Sequence, residues 1–353
     1  MKRLIAPALL VVVACLAVAG TAGSGGAAFT VVMSGLDNPR GLAFGPEGAL
    51  YVAEAGRGGD GPCIFLRGAS MCYGPTGAVS RLSLGDQARV VTGLPSYAAG
   101  GATATGPADI SFRGRGGLFV SLSLGLEDAT RRAELGPGAG LMGHVVRVRD
   151  DGEVSSIGDL AAYEASDNPD GNLVDSSPYG LLAGSGGRIV TDAGGNSLIG
   201  INRGGSQRTI AVFPSRPGRS TDAVPTSVVQ GPDGALYVGE LTGVPFADGA
   251  ARVYRVVPGQ EPEVFLTGFK AIIDIAFGPD GSLYVLQYAT GPTGLAPPGA
   301  LVRVDPDGTR TTIASEGLIA PTSVVVGPES LYVSNRGSSA GSGEVVRIDI
   351  PSH

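Results

Sequence analysis

The octapeptide Gly231-Pro-Asp-Gly-Ala-Leu-Tyr-Val238 recurs as Gly45-Pro-Glu-Gly-Ala-Leu-Tyr-Val52, Gly278-Pro-Asp-Gly-Ser-Leu-Tyr-Val285 and Gly327-Pro-Glu-Ser-Leu-Tyr-Val333. Pro presets φ at the first central turn position, and Gly accepts the positive φ that follows. Leu-Tyr-Val is apolar, aromatic and β-branched, the composition of a strand. Each copy therefore reads as a hairpin turn feeding a strand. Two degenerate copies, Arg113-Gly-Arg-Gly-Gly-Leu-Phe-Val120 and Gly186-Gly-Arg-Ile-Val190, complete six units. Their strands start at Leu50, Leu118, Arg188, Leu236, Leu283 and Leu331, and subtraction gives spacings of 68, 70, 48, 47 and 48 residues. An all-β unit of roughly fifty residues is the length of a four-stranded propeller blade, and a parallel β-helix would repeat at about half that length. The expected fold is an all-β, six-bladed β-propeller with four-stranded blades.

With 59 Gly and 25 Pro in 353 residues, composition alone would permit disorder, but these residues fall at regular turn positions between Val, Ile and Leu runs. Radial repetition also lets a chain of this length pack blade on blade without one thick core. The net charge is −7 with no long basic run, which argues against a nucleic-acid partner.

Residues 1–28 read as a signal peptide and short leader, and residues 29–353 as the propeller. Met1-Lys-Arg3 and the apolar residues 4–20 form a charged region and a hydrophobic run, with Ala17-Val-Ala19 as a cleavage site. Val12-Val-Ala-Cys15 offers a second reading, a lipoprotein anchored through Cys15, although the residues after it stay apolar. Either way the expectation is an exported protein without a membrane span in its mature form, acting as a monomer. After cleavage Cys63 and Cys72 are the remaining cysteines, nine apart in one loop. In an oxidising compartment they are expected to pair as a disulfide, the alternative being free or metal-binding thiols.

Within each unit an inner strand is followed by the turn, Leu-Tyr-Val, a variable loop, a third strand and an outer strand. Residues 29–35 resemble the outer strands of other units, whereas the sixth unit lacks one of its own. The N-terminal strand is therefore expected to close the last blade. The third strand carries an arginine in register, Arg81, Arg147, Arg255, Arg303 and Arg347, replaced by Gly200 in one unit. Five copies around a ring cannot reach one central ligand, so these read as cross-strand partners on blade faces.

Propeller connectivity places the start of each inner strand and the end of each second strand on one face, the mouth. The entry positions are Gly41, Asp109, Gly180, Ser227, Asp274 and Ser323, and the exit positions are Glu54, Leu122, Asp192, Glu240, Gln287 and Asn335. Asp109 and Asp274 fall in the second and fifth units, opposite each other across a six-fold axis. Glu54, Asp109, Asp192, Asn196, Glu240 and Asp274 are thus the main candidates to bind a ligand or metal. Gln287, Asn335, Arg40 and Arg336 are secondary ones. Hard oxygen ligands of this kind suit Ca²⁺ or Mg²⁺, or hydrogen bonds to a polyol, glycan or protein segment. The competing reading is that short polar residues cap strand ends and bond the loop backbone. A Ser/His/Asp centre would have to rest on His144, since the other histidine is the terminal His353.

Several longer stretches, namely Gly61-Pro-Cys63, Cys72-Tyr-Gly-Pro-Thr-Gly-Ala-Val79, Asp109-Ile-Ser-Phe-Arg-Gly-Arg-Gly116, Pro178-Tyr-Gly-Leu-Leu182, Val190-Thr-Asp-Ala-Gly-Gly-Asn196, Val224-Pro-Thr-Ser227 and Gly239-Glu-Leu-Thr-Gly243, resemble the ScyD/ScyE family of exported bacterial proteins. The resemblance spans essentially the whole mature chain and implies an NHL-like, gluconolactonase-like propeller. It further suggests, by analogy of fold, a divalent metal held by Glu, Asn and Asp at the inner blade ends. Two functions follow as expectations. One is a binding or scaffold propeller that holds a small molecule, glycan or partner segment in its mouth. The other is a metal-dependent hydrolase or isomerase acting on a lactone. The scarcity of histidine and the lack of a nucleophile motif favour the first.

Overall fold

The computed structural model describes residues 29–114, 116–126, 128–215 and 221–350, so the leader and His353 lie outside the described residues. Six antiparallel sheets are arranged as a six-bladed β-propeller. The inner strands, in blade order, are Pro39–Phe44, Pro107–Phe112, Pro178–Ala183, Pro225–Gln230, Ile272–Phe277 and Ser323–Val326. Blades 2 to 5 have four consecutive strands each. In blade 6 the outer strand is Phe29–Leu36, which pairs with Gly343–Asp349 from Phe29 opposite Ile348 to Leu36 opposite Gly343. The first and last blades are thereby bound through one sheet, as the sequence leads one to expect.

Blade 1 exceeds the expected four strands. Its third and outer strands, Ala69–Ser83 and Asp86–Ala99, run past the blade into the mouth, where Cys63–Leu66 and Ala102–Thr105 pair with them. Cys63 and Cys72 sit opposite each other in this extension and form the expected disulfide, with Cα atoms 4.0 Å apart. The long loop of blade 2 folds against the extension, and Ile64, Leu66, Tyr97, Leu124, Leu126, Leu135 and Met142 make a small core of their own there.

The repeat's turn chemistry is realised directly. Gly48, Gly234 and Gly281 have φ of 73°, 81° and 83°, values that a Cβ makes costly. Asp233 and Asp280 each accept a backbone N–H two residues on, from Ala235 at 3.1 Å and Ser282 at 3.0 Å. The same carboxylates pair with third-strand arginines, Asp233 with Arg255 at 2.7 Å and Asp280 with Arg303 at 2.9 Å. Every arginine of the register lies across from an aromatic residue: Arg81 from Tyr51, Arg147 from Phe119, Arg255 from Tyr237, Arg303 from Tyr284 and Arg347 from Tyr332. Where Ile189 takes the place of the aromatic residue, its partner is Gly200. The arginines are thus blade-face partners, not ligands of a central site.

Apolar packing follows the radial plan, with a buried cluster at each of the six junctions between neighbouring blades. At the junction of blades 4 and 5, for example, Tyr237 and Val253 meet Ile275 and Val285. Fully burying one such side chain contributes about 1.5–3 kcal/mol.

Candidate functional site

Each inner strand begins at the mouth, and in blades 1 to 5 its first residue pairs with the last residue of the second strand. Pro39 faces Glu54, Pro178 faces Asp192, Pro225 faces Glu240 and Ile272 faces Gln287. The exit residues turn into their own blades. Glu54, Asp192, Glu240, Gln287 and Asn335 are all buried. Four of them accept a backbone N–H from the segment leading into the inner strand: Glu54 from Asp37 and Asp192 from Ser177, each at 2.7 Å, and Gln287 from Lys270 and Asn335 from Ile319, each at 2.8 Å. They cap the link that enters each blade, a role that satisfies backbone groups otherwise stranded in the loop. Glu54 is further held by Arg89, at 2.6 Å, and by the Ser80 hydroxyl. Asp192 also takes N–H groups of Gly194 and Gly195 and the Ser176 hydroxyl. Asn196 is part of the same turn, accepting the Val224 N–H and donating to Asp170. Arg336 reaches outward to Glu344 at 3.3 Å.

Asp109 and Asp274 occupy equivalent places near the axis and are half-buried. Each accepts the N–H of the next residue on one oxygen and an inner-strand N–H of the following blade on the other, from Leu181 at 2.7 Å and Val324 at 2.8 Å. Ser323 repeats this stitch from blade 6 to Leu42 of blade 1. Blade contact is so close that a Cβ on Gly41 would lie 1.9 Å from the Asp109 Oδ1. Loss of solvation raises the Asp274 carboxyl to about 6. It raises Asp109 well above the usual carboxylate range, and the charge of Asp274 across the axis adds to the effect. The charge of Asp274 thus reaches Asp109, and all four of their carboxylate oxygens already accept a backbone N–H. Among the described residues no three His, Cys, Asp or Glu side chains form a metal-holding group.

The open space lies one residue nearer the mouth. A cavity of about 600 Å³ is lined by Arg40, Ala108, Tyr179, Thr226, Ile273 and Thr322, one residue from the start of each blade. Arg40 is the one sequence candidate among its lining residues. The remaining wall comes from mouth loops: Thr103 and Thr105 of the blade 1 extension, Leu241 and Phe246 of blade 4, and Tyr288 and Leu295 of blade 5. Tyr179 lies close enough to Arg40, Tyr288, Asp274 and Asp109 for their charges to act on it, and burial pushes its phenol up to about 12. It is therefore a neutral hydrogen-bond donor at any ordinary pH.

His144 is placed away from this cavity, on the third strand of blade 2. Its Nδ1 lies 2.7 Å from the Ser156 hydroxyl and its Nε2 lies 3.0 Å from Asp159. This resembles a nucleophile relay, but Asp159 is already paired with Arg132 and caps the helix Leu160–Asp167 through the Ala162 N–H. Ser156 is exposed on the outer strand and does not line the mouth cavity. Sequence reading also missed Glu164 on that helix, a buried carboxyl beside Asp170, Asp175 and Asp192.

No protein-family model matches the chain, and no curated protein matches it. Solved structures match in fold. Virginiamycin B lyase from Staphylococcus aureus superimposes with a TM-score of 0.51 at 14% identity, covering 92% of this chain and 100% of its own. A calcium-binding protein from Agrobacterium tumefaciens, regucalcin, gives 0.55 at 16% identity over 92% of this chain and 94% of its own. A structure carrying the provisional name gluconolactonase gives 0.54 at 12% identity over 93% and 95%. At such identities the likeness is one of fold, the six-bladed β-propeller.

Proposed function

We propose that this chain is an exported binding propeller of ScyD/ScyE type that holds a small molecule in the axial cavity at its mouth, without turning it over. The observation that carries the reading is the cavity itself, about 600 Å³ in volume and lined from all six blades, on a scaffold closed through one shared sheet. That volume lies in the range of small-molecule sites, and a mostly apolar wall with a few convergent polar groups is their usual construction. The hydrolase reading has weaker support. Its neighbours share fold alone, and the two carboxylates nearest the axis, Asp109 and Asp274, are committed to backbone N–H groups. A disulfide between Cys63 and Cys72 supports export, since such bonds persist in oxidising compartments.

The test is a thermal-shift screen of small metabolites against the wild-type protein and a Thr105→Trp variant, which places an indole at the cavity rim. A ligand at a hundred times its Kd stabilises by about 2.7 kcal/mol, a readily visible shift. The expected result is ligands that stabilise the wild type and not the variant. Glycans or protein segments captured equally by both would move the binding function to another surface.

A further inference from the structure

The cavity wall is polarised. On the blade 1 side the Arg40 guanidinium donates to the carbonyls of Gly337, Pro39 and Ala104, the last at 2.9 Å. These bonds fix its plane yet use three of its five N–H donors. Among the described residues no carboxylate is in ion-pairing range of Arg40, and its Nε–H has no hydrogen-bond partner. The hydroxyls of Tyr179 and Tyr288, on blades 3 and 5, likewise have no hydrogen-bond partner among the described residues, and both rings line the cavity. Arginine stays charged at every relevant pH, and its fork matches a carboxylate.

The large apolar side chains of the lining come from blades 4 and 5: Leu241, Val244, Phe246, Ile273 and Leu295. The loop bearing three of these is held in a costly backbone form, with Thr242 at φ 72° and Phe246 at φ 56°. For a β-branched or bulky residue such angles are outliers, and they recur where a loop is fixed to meet a ligand. Val244 remains 73% exposed at the rim, an apolar side chain without cover.

We infer that the cavity takes an amphipathic monocarboxylate, with its carboxylate on the unspent donors of Arg40, Tyr179 and Tyr288 and its apolar body against the Leu241, Phe246, Ile273 and Leu295 wall. The inference rests on the cavity-binding reading above. Other charges face the ligand too. Arg67, Asp175 and Asp222 also line the cavity, and the carboxylates of Asp109 and Asp274 act on its Tyr179. Burial raises Asp109 well above the usual carboxylate range and Asp274 to about 6, so Asp274 takes up a proton as the medium becomes mildly acidic. An anionic head is therefore better accommodated at pH 6 than at neutral pH.

Isothermal titration of the purified protein at pH 6 with octanoate, decanoate and 4-phenylbutyrate, each beside the matching primary alcohol, decides the matter. The acids are expected to bind at least about tenfold more tightly than the alcohols, the margin of one charge-assisted hydrogen bond. Arg40→Met should erase that margin. Because Arg40 also anchors two loops, Tyr179→Phe serves as a second variant and should weaken the acids several-fold with Arg40 in place. Alcohols that bind as well as acids, a margin unchanged in either variant, or no acid binding at millimolar concentration would overturn the inference. Equal binding of acids and alcohols that Thr105→Trp abolishes would leave the cavity reading standing. Binding undiminished in Thr105→Trp would remove the cavity reading itself.

Discussion

Glu164 shows how one side chain can set a pH dependence for the whole fold. It is 1% exposed, its Oε1 has no hydrogen-bond partner, and the carboxylates of Asp170, Asp175 and Asp192 act on it. Burial first, and these charges second, push its carboxyl from 4.5 up to about 8. The folded chain therefore keeps a proton that the unfolded chain has already lost between those two values. Its stabilising contribution is complete below 4.5 and is lost as pH rises toward 8. Glu164→Gln keeps a neutral group of the same shape. The variant should match the wild type at pH 5 and exceed it above pH 8 by about 1–3 kcal/mol. Urea midpoints at pH 5, 7 and 9 measure this, and parallel pH profiles for the two proteins would show that Glu164 is ionised in the fold. Nothing in the local sequence announces this residue, since Asp170, Asp175 and Asp192 lie 6, 11 and 28 residues further along the chain by subtraction.

The strands and turns were far more legible than the site, and the reasons are physical. In the Pro-Asp-Gly turn of blade 5, Asp280 accepts the Ser282 N–H and pairs with Arg303, so one short side chain sets both the turn and the cross-strand contact. Turn, strand and arginine register are local chemistry and can be read from spacing. Asp280→Ala loses both contacts and is expected to cost about 1 kcal/mol, since exposed ion pairs contribute little and the turn bond most. Asp280→Glu moves the carboxylate one methylene outward and should recover less than half of that. Thermal unfolding of the two variants checks it, and an unchanged midpoint for Asp280→Ala would remove Asp280 from the turn's stability. The mouth is different. Register shifts occur near the start of inner strands, between Pro225 and Ser227 and between Ile272 and Asp274, for instance. A one-residue slip exchanges the faces of a strand. The axial wall is therefore formed by Arg40, Ala108, Tyr179, Thr226, Ile273 and Thr322, one position before the entry residues that spacing singles out. These six share no chemistry, so residue type gives no signal of their common place. The polar exit residues do share chemistry, but what it serves is the capping of backbone.

Closure governs the behaviour of the molecule as a whole. A propeller ring transmits packing from blade to blade, and its weakest point is the junction where the chain's two ends meet. Here Phe29–Leu36 supplies the outer strand of blade 6, and Met33 and Leu36 join Leu42, Leu50, Val52 and Val345 in the core between blades 6 and 1. Both side chains are 1% exposed. Removing residues 29–36 would forfeit about 3–6 kcal/mol of apolar burial from these two residues. That is comparable with the whole net stability of many domains, about 5–15 kcal/mol. It would also leave Gly343–Asp349 with one edge unpaired, and such an edge recruits another strand. The truncated chain is expected to lose cooperative unfolding or to self-associate through that edge. Size-exclusion chromatography with light scattering and a urea titration would report which occurs. A truncated chain that stays monomeric with an unchanged midpoint would mean that the six apolar junctions hold the ring without the shared sheet, and that the cavity depends on blade packing alone. If closure is the controlling element, Met33→Ala should lower the urea midpoint and weaken ligand binding together. The reason is that Arg40, at the start of blade 1, is positioned through its bond to the carbonyl of Gly337 in blade 6.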